Sequence, residues 1–323
     1  MAEISSSVAI IGMGSVGSGW AALLLAQGAQ VRAFDPVAGA DERAKALIGG
    51  CWPSLKQMGQ TRQDAPPFGS LQFFGSIEET VEDVAVVIEN VPEDLALKQD
   101  VFAKADAAAP PDALLLSSAG GIAATDIQSA CAHPERMLVM HPFNPSHLIP
   151  LVEIVPGEKT SKQTVQRTLH FASSLGKQPV TIAKERSGHM VNRLQFALVR
   201  EAIRCLMDGV ATPQDIDAAV RYGLAPRWLL MGGLHTVALA GGPGGMRGIL
   251  DHAGKAMEQW WAPGADLTVT DELKDQLAAA ADELGAGAEF EEWAKWRDEQ
   301  LIAVLSVQGQ AEQARPMQMS GGI

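Results

Sequence analysis

Residues 8–17 read VAIIGMGSVG, a short apolar run that leads directly into a glycine-rich turn. The β-branched run at residues 8–11 predicts a buried strand, and the spacing of the apolar residues at 18–27 predicts a helix after the turn. A second strand is predicted at residues 31–34, and it ends at Asp35. Strand, G-x-G-x-x-G, helix, strand and acidic residue, in this order, form the dinucleotide-binding fingerprint in the context that it requires.

Each part of this fingerprint has a physical task. Gly12 permits the tight turn, Gly14 lets the backbone approach a pyrophosphate, and Gly17 lets the helix pack closely on the strand. The N-terminus of the helix offers amide donors and a positive dipole to the phosphates. Asp35 follows Gly17 by 18 residues, where it would accept a hydrogen bond from the ribose 2′-hydroxyl. A 2′-phosphate would meet a like charge there, so we predict NAD rather than NADP as the cofactor. Arg32 precedes the acidic residue and is not counted as a phosphate ligand.

Strands and helices alternate through the rest of the N-terminal half. Apolar runs predict further strands at residues 71–74, 84–88, 114–116 and 137–140, and helices are predicted at about 38–58 and 95–107. This alternation predicts an α/β fold with an N-terminal Rossmann-type, doubly wound parallel sheet. Ligands of such sheets bind beyond the carboxyl ends of the strands. We therefore expect one crevice, lined by Gly12, Gly14, Gly17, Asp35, Glu93, Ser117, Ser118 and His141.

The pattern changes at Ser187 to that of an all-α C-terminal domain. Apolar stripes predict helices at residues 188–207, 215–222, 253–261, 270–284 and 289–305. We predict an NAD-binding domain at residues 1–186 and an all-helical substrate and dimerisation domain at 187–323. The glycine-rich stretch 240–245 is interpreted as a flexible connector. The tail from about residue 308 is expected to be mobile.

Composition narrows the class of protein. The net charge is 25 − 38 = −13, and the absence of a basic cluster in the sequence argues against nucleic acid and anionic membranes as partners. Three widely separated cysteines without a C-x-x-C pair fit a reducing compartment, and no metal site is predicted from the cysteine or histidine spacings. There is no signal peptide pattern or apolar run of membrane-spanning length. We expect a cytoplasmic protein that acts on a small molecule.

The stretch HPFNPSHLIPLVE, residues 141–153, is the candidate catalytic segment. Its prolines disfavour a helix, so we expect His141 to leave one strand and Glu153 to return beside it on the next. A carboxylate against an imidazole fixes its tautomer and stabilises the imidazolium, which suits a general base. The alternative is a buried histidine bonded to a structural glutamate.

Four other side chains are candidates for the same crevice or its substrate. Asn192 would bond the substrate oxygen opposite His141; alternatively it is an exposed helix amide. Glu93 and Lys98 lie where their loop would cross the cofactor, or they belong to a solvated helix N-terminus. Arg227 would bind an anionic substrate group, or it is a surface arginine stacked on Trp228.

Four motifs together resemble the L-3-hydroxyacyl-CoA dehydrogenase superfamily: GMGSVG with Asp35, VPEDLALK, HPFNPSHLIPLVEIVPG and SGHMVNRLQFALVREA. The branch that contains L-gulonate 3-dehydrogenase and lambda-crystallin is the most similar, with L-carnitine 3-dehydrogenase near by. The resemblance implies that His141 is the catalytic base, that Glu153 orients it and that Asn192 contacts the substrate. It also implies a homodimer built by the helical domain, and cofactor contacts from Ser15, Val16, Asp35, Glu93 and Lys98.

The chain departs from the family pattern at two places. The family's catalytic serine lies 21 residues before the histidine, a position that is Gly120 here, in SSAGG. The serine hydroxyl is therefore missing unless Ser118, or Ser117, substitutes for it after a shift of the loop, and we expect lower activity or an altered substrate with an intact base. Gly233 and His235 stand where the family usually has proline and glutamate, near the expected substrate pocket.

The combined prediction is an NAD-dependent dehydrogenase that oxidises the 3-hydroxyl of a small polar hydroxy acid. L-Gulonate is the first candidate substrate, then L-carnitine, then an acyl-CoA, which the net acidity disfavours. Gly120 also keeps open a crystallin-like structural protein that binds NADH and has weak activity.

Overall fold

The computed structural model describes residues 7–261, 270, 272 and 290–313. The chain forms two compact units, Met1–Gln195 and Phe196–Ile323. The first unit contains the sheet, and the second is helical in its described residues. The predicted boundary after residue 186 stays a prediction.

The first unit is built on one eight-stranded sheet with the order β3-β2-β1-β4-β5-β6-β7-β8. All neighbouring strands run parallel except β6 and β7, which are antiparallel. The predicted Rossmann-type α/β fold is therefore confirmed. Because the order reverses between β1 and β4, the crevice at their carboxyl ends is the expected ligand position. The strands are β1 (Ser7–Ile11), β2 (Gln30–Phe34), β3 (Leu71–Phe73), β4 (Val86–Glu89), β5 (Leu114–Ser117), β6 (Met137–Pro142), β7 (Leu151–Pro156) and β8 (Gln178–Thr181).

Helices cover both faces of this sheet, and its central strands, β1 and β4 to β7, contribute to two cores. Val8 and Ile10 pack into one core, and Ala9 and Ile11 pack into the other, since side chains alternate along a strand. Burial on both faces explains why the strands read as continuous apolar runs. The helices of this unit are α1 (Ser15–Ala26), α2 (Ala40–Gln57), α3 (Ile77–Val81), α4 (Leu95–Ala108), α5 (Ala124–Gln128) and α6 (Lys162–Ser174).

The second unit confirms the all-α prediction but corrects several boundaries. The described helices are α7 (Val191–Met207), which begins in the first unit, α8 (Pro213–Ala218), α9 (Ala225–Ala240), α10 (Gly245–Trp261) and α11 (Phe290–Gln313). A π-helical segment, Ala219–Leu224, leads directly into α9, and Arg227 lies in the first turn of that helix. Residues 308–313 of the predicted tail also belong to a helix. The predicted helix at 270–284 lies almost entirely outside the described residues.

Membrane crossing has no support among the described helices, because none is both long enough and apolar enough to span a bilayer. The predicted cytoplasmic location stays a prediction.

Candidate active site

The turn between β1 and α1 has the shape that a dinucleotide requires. Gly12 adopts φ +87°, and a Cβ there would lie 2.8 Å from the backbone carbonyl of Asn90. A Cβ at Gly14, in contrast, would meet nothing within 4 Å, so the backbone is open to an approaching ligand. No side chain caps α1 at Gly14, so its first-turn amides are available to an anion. These features fit the pyrophosphate of a dinucleotide.

Asp35 connects this turn to the end of β2. Its carboxylate accepts hydrogen bonds from the backbone N–H groups of Met13, at 2.8 Å, and Val37, at 2.9 Å. Two carboxylate oxygens have more lone pairs than these contacts use, so a ribose hydroxyl can still be accepted. Arg32 donates to the Thr80 carbonyl and lies over the ring of Phe74. These contacts agree with the prediction that Arg32 is not a phosphate ligand.

His141 and Glu153 lie directly opposite each other on the antiparallel strands β6 and β7. The His141 Nδ1 donates to Glu153 Oε2 at 2.9 Å, and the side chain of Glu153 is 0% exposed. The other carboxylate oxygen accepts from the backbone N–H groups of Met190, at 3.0 Å, and Val191, at 2.9 Å. A carboxylate can only accept here, so the hydrogen of neutral His141 is on Nδ1 and its Nε2 is a proton acceptor.

The charge state of Glu153 follows from the same contacts. Burial alone would raise the pKa of this carboxyl, but the hydrogen bonds from His141, Val191 and Met190 outweigh burial and hold the pKa below its ordinary value. Glu153 is therefore ionised at neutral pH. An ionised carboxylate at Nδ1 stabilises an imidazolium when Nε2 takes a proton.

The space in front of His141 Nε2 is bounded by Gly120 and Asn192. A Cβ at Gly120 would lie 3.3 Å from His141 Nε2 and 3.6 Å from Asn192 Nδ2. Asn192 itself donates to the Gly120 carbonyl at 2.9 Å, so it is not the freely exposed amide of the alternative interpretation. Phe143, which the sequence analysis did not single out, packs edge-on against His141 with 4.6 Å between the ring centroids.

The two serines before Gly120 have other partners. Ser117 donates to Glu89 at 2.6 Å, and Ser118 donates to Asn90 Oδ1 at 2.8 Å. The position that faces His141 is Gly120 itself, as a count without gaps indicates, and no loop shift brings either serine to its place. The contacts of Ser118 thus do not support its predicted catalytic role. Neither serine lies in front of His141 because β5 continues through Ser117, and the chain turns toward the site only after that residue.

Lys98 and Glu93, the two predicted cofactor contacts from this loop, both have partners within the chain. Lys98 is 1% exposed, and its ammonium forms an ion pair with the buried Glu89 at 2.8 Å. The alternative of a solvated lysine is therefore wrong, and its contacts within the chain do not support a direct cofactor role. Burial raises the pKa of Glu89 in spite of this partner. The sequence analysis missed Glu89, although an acidic residue that ends a buried strand was a visible signal.

Glu93 holds the loop that carries Gly120. Its Oε1 accepts from the backbone N–H groups of Gly120, Gly121 and Ile122, at 3.0, 2.8 and 3.3 Å. Its carboxylate is partly exposed and lies 3.6 Å from the Lys98 ammonium. Glu93 thus fixes the loop whose Gly120 faces His141.

Two candidates lie in the second unit, on α9. Arg227 is exposed and donates to the Gly223 carbonyl at 3.0 Å, and His235 is exposed as well. The structure of this unit by itself gives neither residue a ligand. Among the described residues, no group of three His, Cys, Asp or Glu side chains is arranged to hold a metal ion.

Comparison with known proteins gives full-length relatives. L-Carnitine dehydrogenase of Streptomyces coelicolor is 39% identical over 302 residues, which cover 94% of both chains. L-Carnitine dehydrogenase of a Pseudomonas species is 40% identical over 316 residues and 97% of both chains. A solved structure of 5-formyl-3-hydroxy-2-methylpyridine 4-carboxylic acid 5-dehydrogenase, an NAD+-dependent dismutase, superimposes with a TM-score of 0.81 at 29% identity. That match covers 95% of this chain and 99% of the other.

NAD-dependent dehydrogenases have this architecture: a Rossmann-type sheet, an open glycine-rich turn after β1 and an acidic residue at the end of β2. The family descriptions agree: the 3-hydroxyacyl-CoA dehydrogenase NAD binding domain matches residues 7–186, and the C-terminal domain matches residues 188–272. The chain belongs to the 3-hydroxyacyl-CoA dehydrogenase family. It is an NAD-dependent enzyme that acts on a 3-hydroxyl.

Proposed function

We propose that this enzyme oxidises the 3-hydroxyl of a small hydroxy acid and that L-carnitine is its substrate. The reaction rests on one observation, the buried His141–Glu153 pair whose free Nε2 lies beside Asn192 and Gly120. The choice of substrate rests on relatives of 39% and 40% identity that are named L-carnitine dehydrogenase. This reverses the order of the sequence-based prediction, and L-gulonate becomes the second candidate.

In the proposed mechanism the chain supplies the base and NAD supplies the electron acceptor. The hydride of the carbinol carbon would go to this acceptor. His141 accepts the hydroxyl proton at Nε2, and ionised Glu153 stabilises the imidazolium that results. The partly buried amide of Asn192, fixed on the Gly120 carbonyl, positions the substrate oxygen. Gly12, Gly14, Ser15, Val16, Gly17 and Asp35 would hold the cofactor.

An aromatic ring beside the base suits a substrate with a quaternary ammonium. Carnitine carries its trimethylammonium group on the carbon next to the carbinol carbon, so this cation has to lie close to His141. The Phe143 ring is 4.6 Å from the imidazole, and aromatic rings attract quaternary ammonium ions within about 6 Å. Gly120 leaves room for such a group where a serine side chain would otherwise be.

The proposed substrate is tested by NADH formation with L-carnitine, L-gulonate, L-3-hydroxybutyrate, L-3-hydroxybutyryl-CoA and 3-hydroxy-5,5-dimethylhexanoate. The last compound replaces the ammonium nitrogen of carnitine by carbon and is otherwise isosteric. We expect the highest kcat/KM with L-carnitine and a loss of about five- to thirtyfold with the neutral isostere, the value of one desolvated cation–π contact. Higher kcat/KM with L-gulonate or the CoA ester would overturn the assignment. Tight NADH binding without turnover on any compound would favour the crystallin-like alternative.

We expect Asp35→Ala to weaken NADH binding by at least about tenfold and to narrow the preference for NAD over NADP. The ribose 2′-hydroxyl would lose its acceptor, and a 2′-phosphate would no longer meet a like charge. Fluorescence titration with both reduced cofactors measures this. Glu42→Ala, at an exposed acid on α2, is the control for net charge. Equal weakening of NADH and NADPH would mean that Asp35 only holds the glycine-rich turn through Met13.

We also propose that the enzyme is a homodimer formed by its helical unit. Several large apolar side chains of this unit are exposed in the single chain, which supports an interface between copies. They are Phe196, Met207, Val210, Tyr222, Leu230, Leu234, Leu239 and Trp260.

A further inference from the structure

The backbone of residues 119–122, here called the Gly120 loop, is held on both sides. The N–H groups of Gly120, Gly121 and Ile122 bind Glu93. Three of the four loop carbonyls accept from one short segment: Ala119 from His189 Nε2 at 3.0 Å, Gly120 from Asn192, and Gly121 from the backbone N–H of Gly188 at 3.4 Å. Two adjacent glycines have no side chains to order them, so these contacts determine where the loop lies in front of His141.

His189 has an unusual backbone conformation within that segment. Among the described residues it is the one non-glycine residue with positive φ, at 48°, and it is 2% exposed. The two N–H groups that follow it, those of Met190 and Val191, both bind Glu153 Oε1. Successive amides gathered by a left-handed residue form a concave anion site. The strained residue therefore directs two donors at the carboxylate that orients His141.

The side chain of His189 serves the opposite side of the site. Its Nε2 reaches the Ala119 carbonyl, and its ring centroid lies 5.4 Å from that of His141. A carbonyl oxygen only accepts, so Nε2 carries the hydrogen, and Nδ1 is buried without a hydrogen-bond partner in the described part of the chain. The contact thus needs a hydrogen on Nε2.

We propose that His189 is a positioning residue, which aligns the His141–Glu153 pair with the Gly120 loop. Its backbone fixes the carboxylate, and its side chain fixes the loop that limits the space at His141 Nε2. This proposal rests on the proposed role of His141 as the base. His189 acts through these neighbours and does not exchange a proton with the substrate.

Three substitutions test the task of the side chain. His189→Gly keeps the positive φ without strain and removes only the side chain. His189→Phe keeps a ring beside His141 but loses the donor, and His189→Gln retains an N–H donor of similar reach. We expect kcat to fall at least about tenfold in His189→Gly and His189→Phe, because small misplacements of reacting groups lower reaction rates by this factor or more. We expect kcat to recover in His189→Gln. KM and the Kd for NADH should change less than kcat.

A readout without substrate keeps this test independent of the proposed function. The downfield proton resonance of His141 Nδ1, recorded by NMR in the protein without substrate, reports its bond to Glu153. We expect it to broaden in His189→Gly, because the Gly120 loop is then no longer fixed in front of the imidazole, and to sharpen again in His189→Gln. An unchanged resonance together with unchanged kcat in His189→Gly would overturn the proposal, as would an equal loss in the Gly and Gln variants. If the wild type turns over none of the compounds, the proposed function fails, while the NMR result still decides the role of His189.

Discussion

We expect His141→Gln to lower kcat by about 10²–10⁴-fold while the Kd for NADH stays nearly unchanged. The variant loses the only group placed to take the hydroxyl proton in the proposed mechanism. Glutamine is preferable to alanine here, because its amide can still donate to the buried Glu153 carboxylate. Alanine would leave that charge with the Met190 and Val191 amides alone, and removing a partner from a buried ion costs about 3–5 kcal/mol.

The measurement is the initial rate of NADH formation at saturating substrate, together with fluorescence titration of NADH and the unfolding temperature. His133→Ala is the matched control, because the His133 side chain is 65% exposed and lies outside the site. We expect this control to behave as the wild type does. Loss of NADH binding in His141→Gln would show that His141 supports the cofactor site and would contradict its role as the base.

Much of the fold could be predicted because the determining signals are local. The apolar run at residues 8–11, the glycines and Asp35 lie within one strand–helix–strand unit, and each position has a steric or electrostatic reason that the residue type itself reveals. The pairing of His141 with Glu153 is also a local property. Three prolines force the chain to turn within twelve residues, and the structure pairs the two residues directly across antiparallel strands.

The partners of the remaining site residues could not be predicted, because they come from distant parts of the chain. Nothing near Lys98 in the sequence shows that this side chain is buried and forms an ion pair with Glu89, so neither the burial nor the ion pair was predicted. The partners of Ser118 likewise depend on where β4 ends beside β5. The spacing of residues in the sequence therefore does not show which carboxylate or amide group a buried lysine or serine will contact.

The segment 188–192 is the clearest case of this limit. Its sequence indicated one functional residue, Asn192, at a helix start. The structure shows that the backbone of Met190 and Val191 binds Glu153, and that His189 binds Ala119, which is 70 residues away along the chain. Backbone donors have no residue signature, so their targets appear only when the fold is known.

The second large effect is expected for Glu153→Gln, which should lower kcat by about 10²–10⁴-fold although it removes only a charge. Two backbone N–H groups, of Met190 and Val191, point at Oε1, so the amide oxygen of the glutamine must occupy that position. Its NH₂ group then faces His141 Nδ1 and donates to it. The hydrogen of the neutral imidazole is driven to Nε2, which can no longer accept the hydroxyl proton. In the wild type, the lowered pKa of Glu153 keeps its carboxylate ionised, so it accepts a hydrogen bond from His141 Nδ1. The hydrogen of the neutral imidazole then stays on Nδ1, and Nε2 can accept a proton.

A double variant separates this tautomer effect from a loss of folding. Since Glu153 is proposed to act only through His141, combining Glu153→Gln with His141→Gln should lower kcat no further than His141→Gln alone. Glu158→Gln, an exposed acid just beyond β7, is the matched control and should leave kcat unchanged. The Glu153→Gln protein should bind NADH normally, since both backbone donors keep an acceptor. If the double variant instead lost kcat by the product of the two single losses, Glu153 would act on the reaction by a route other than His141. The His141–Glu153 pair would then not work together as the base.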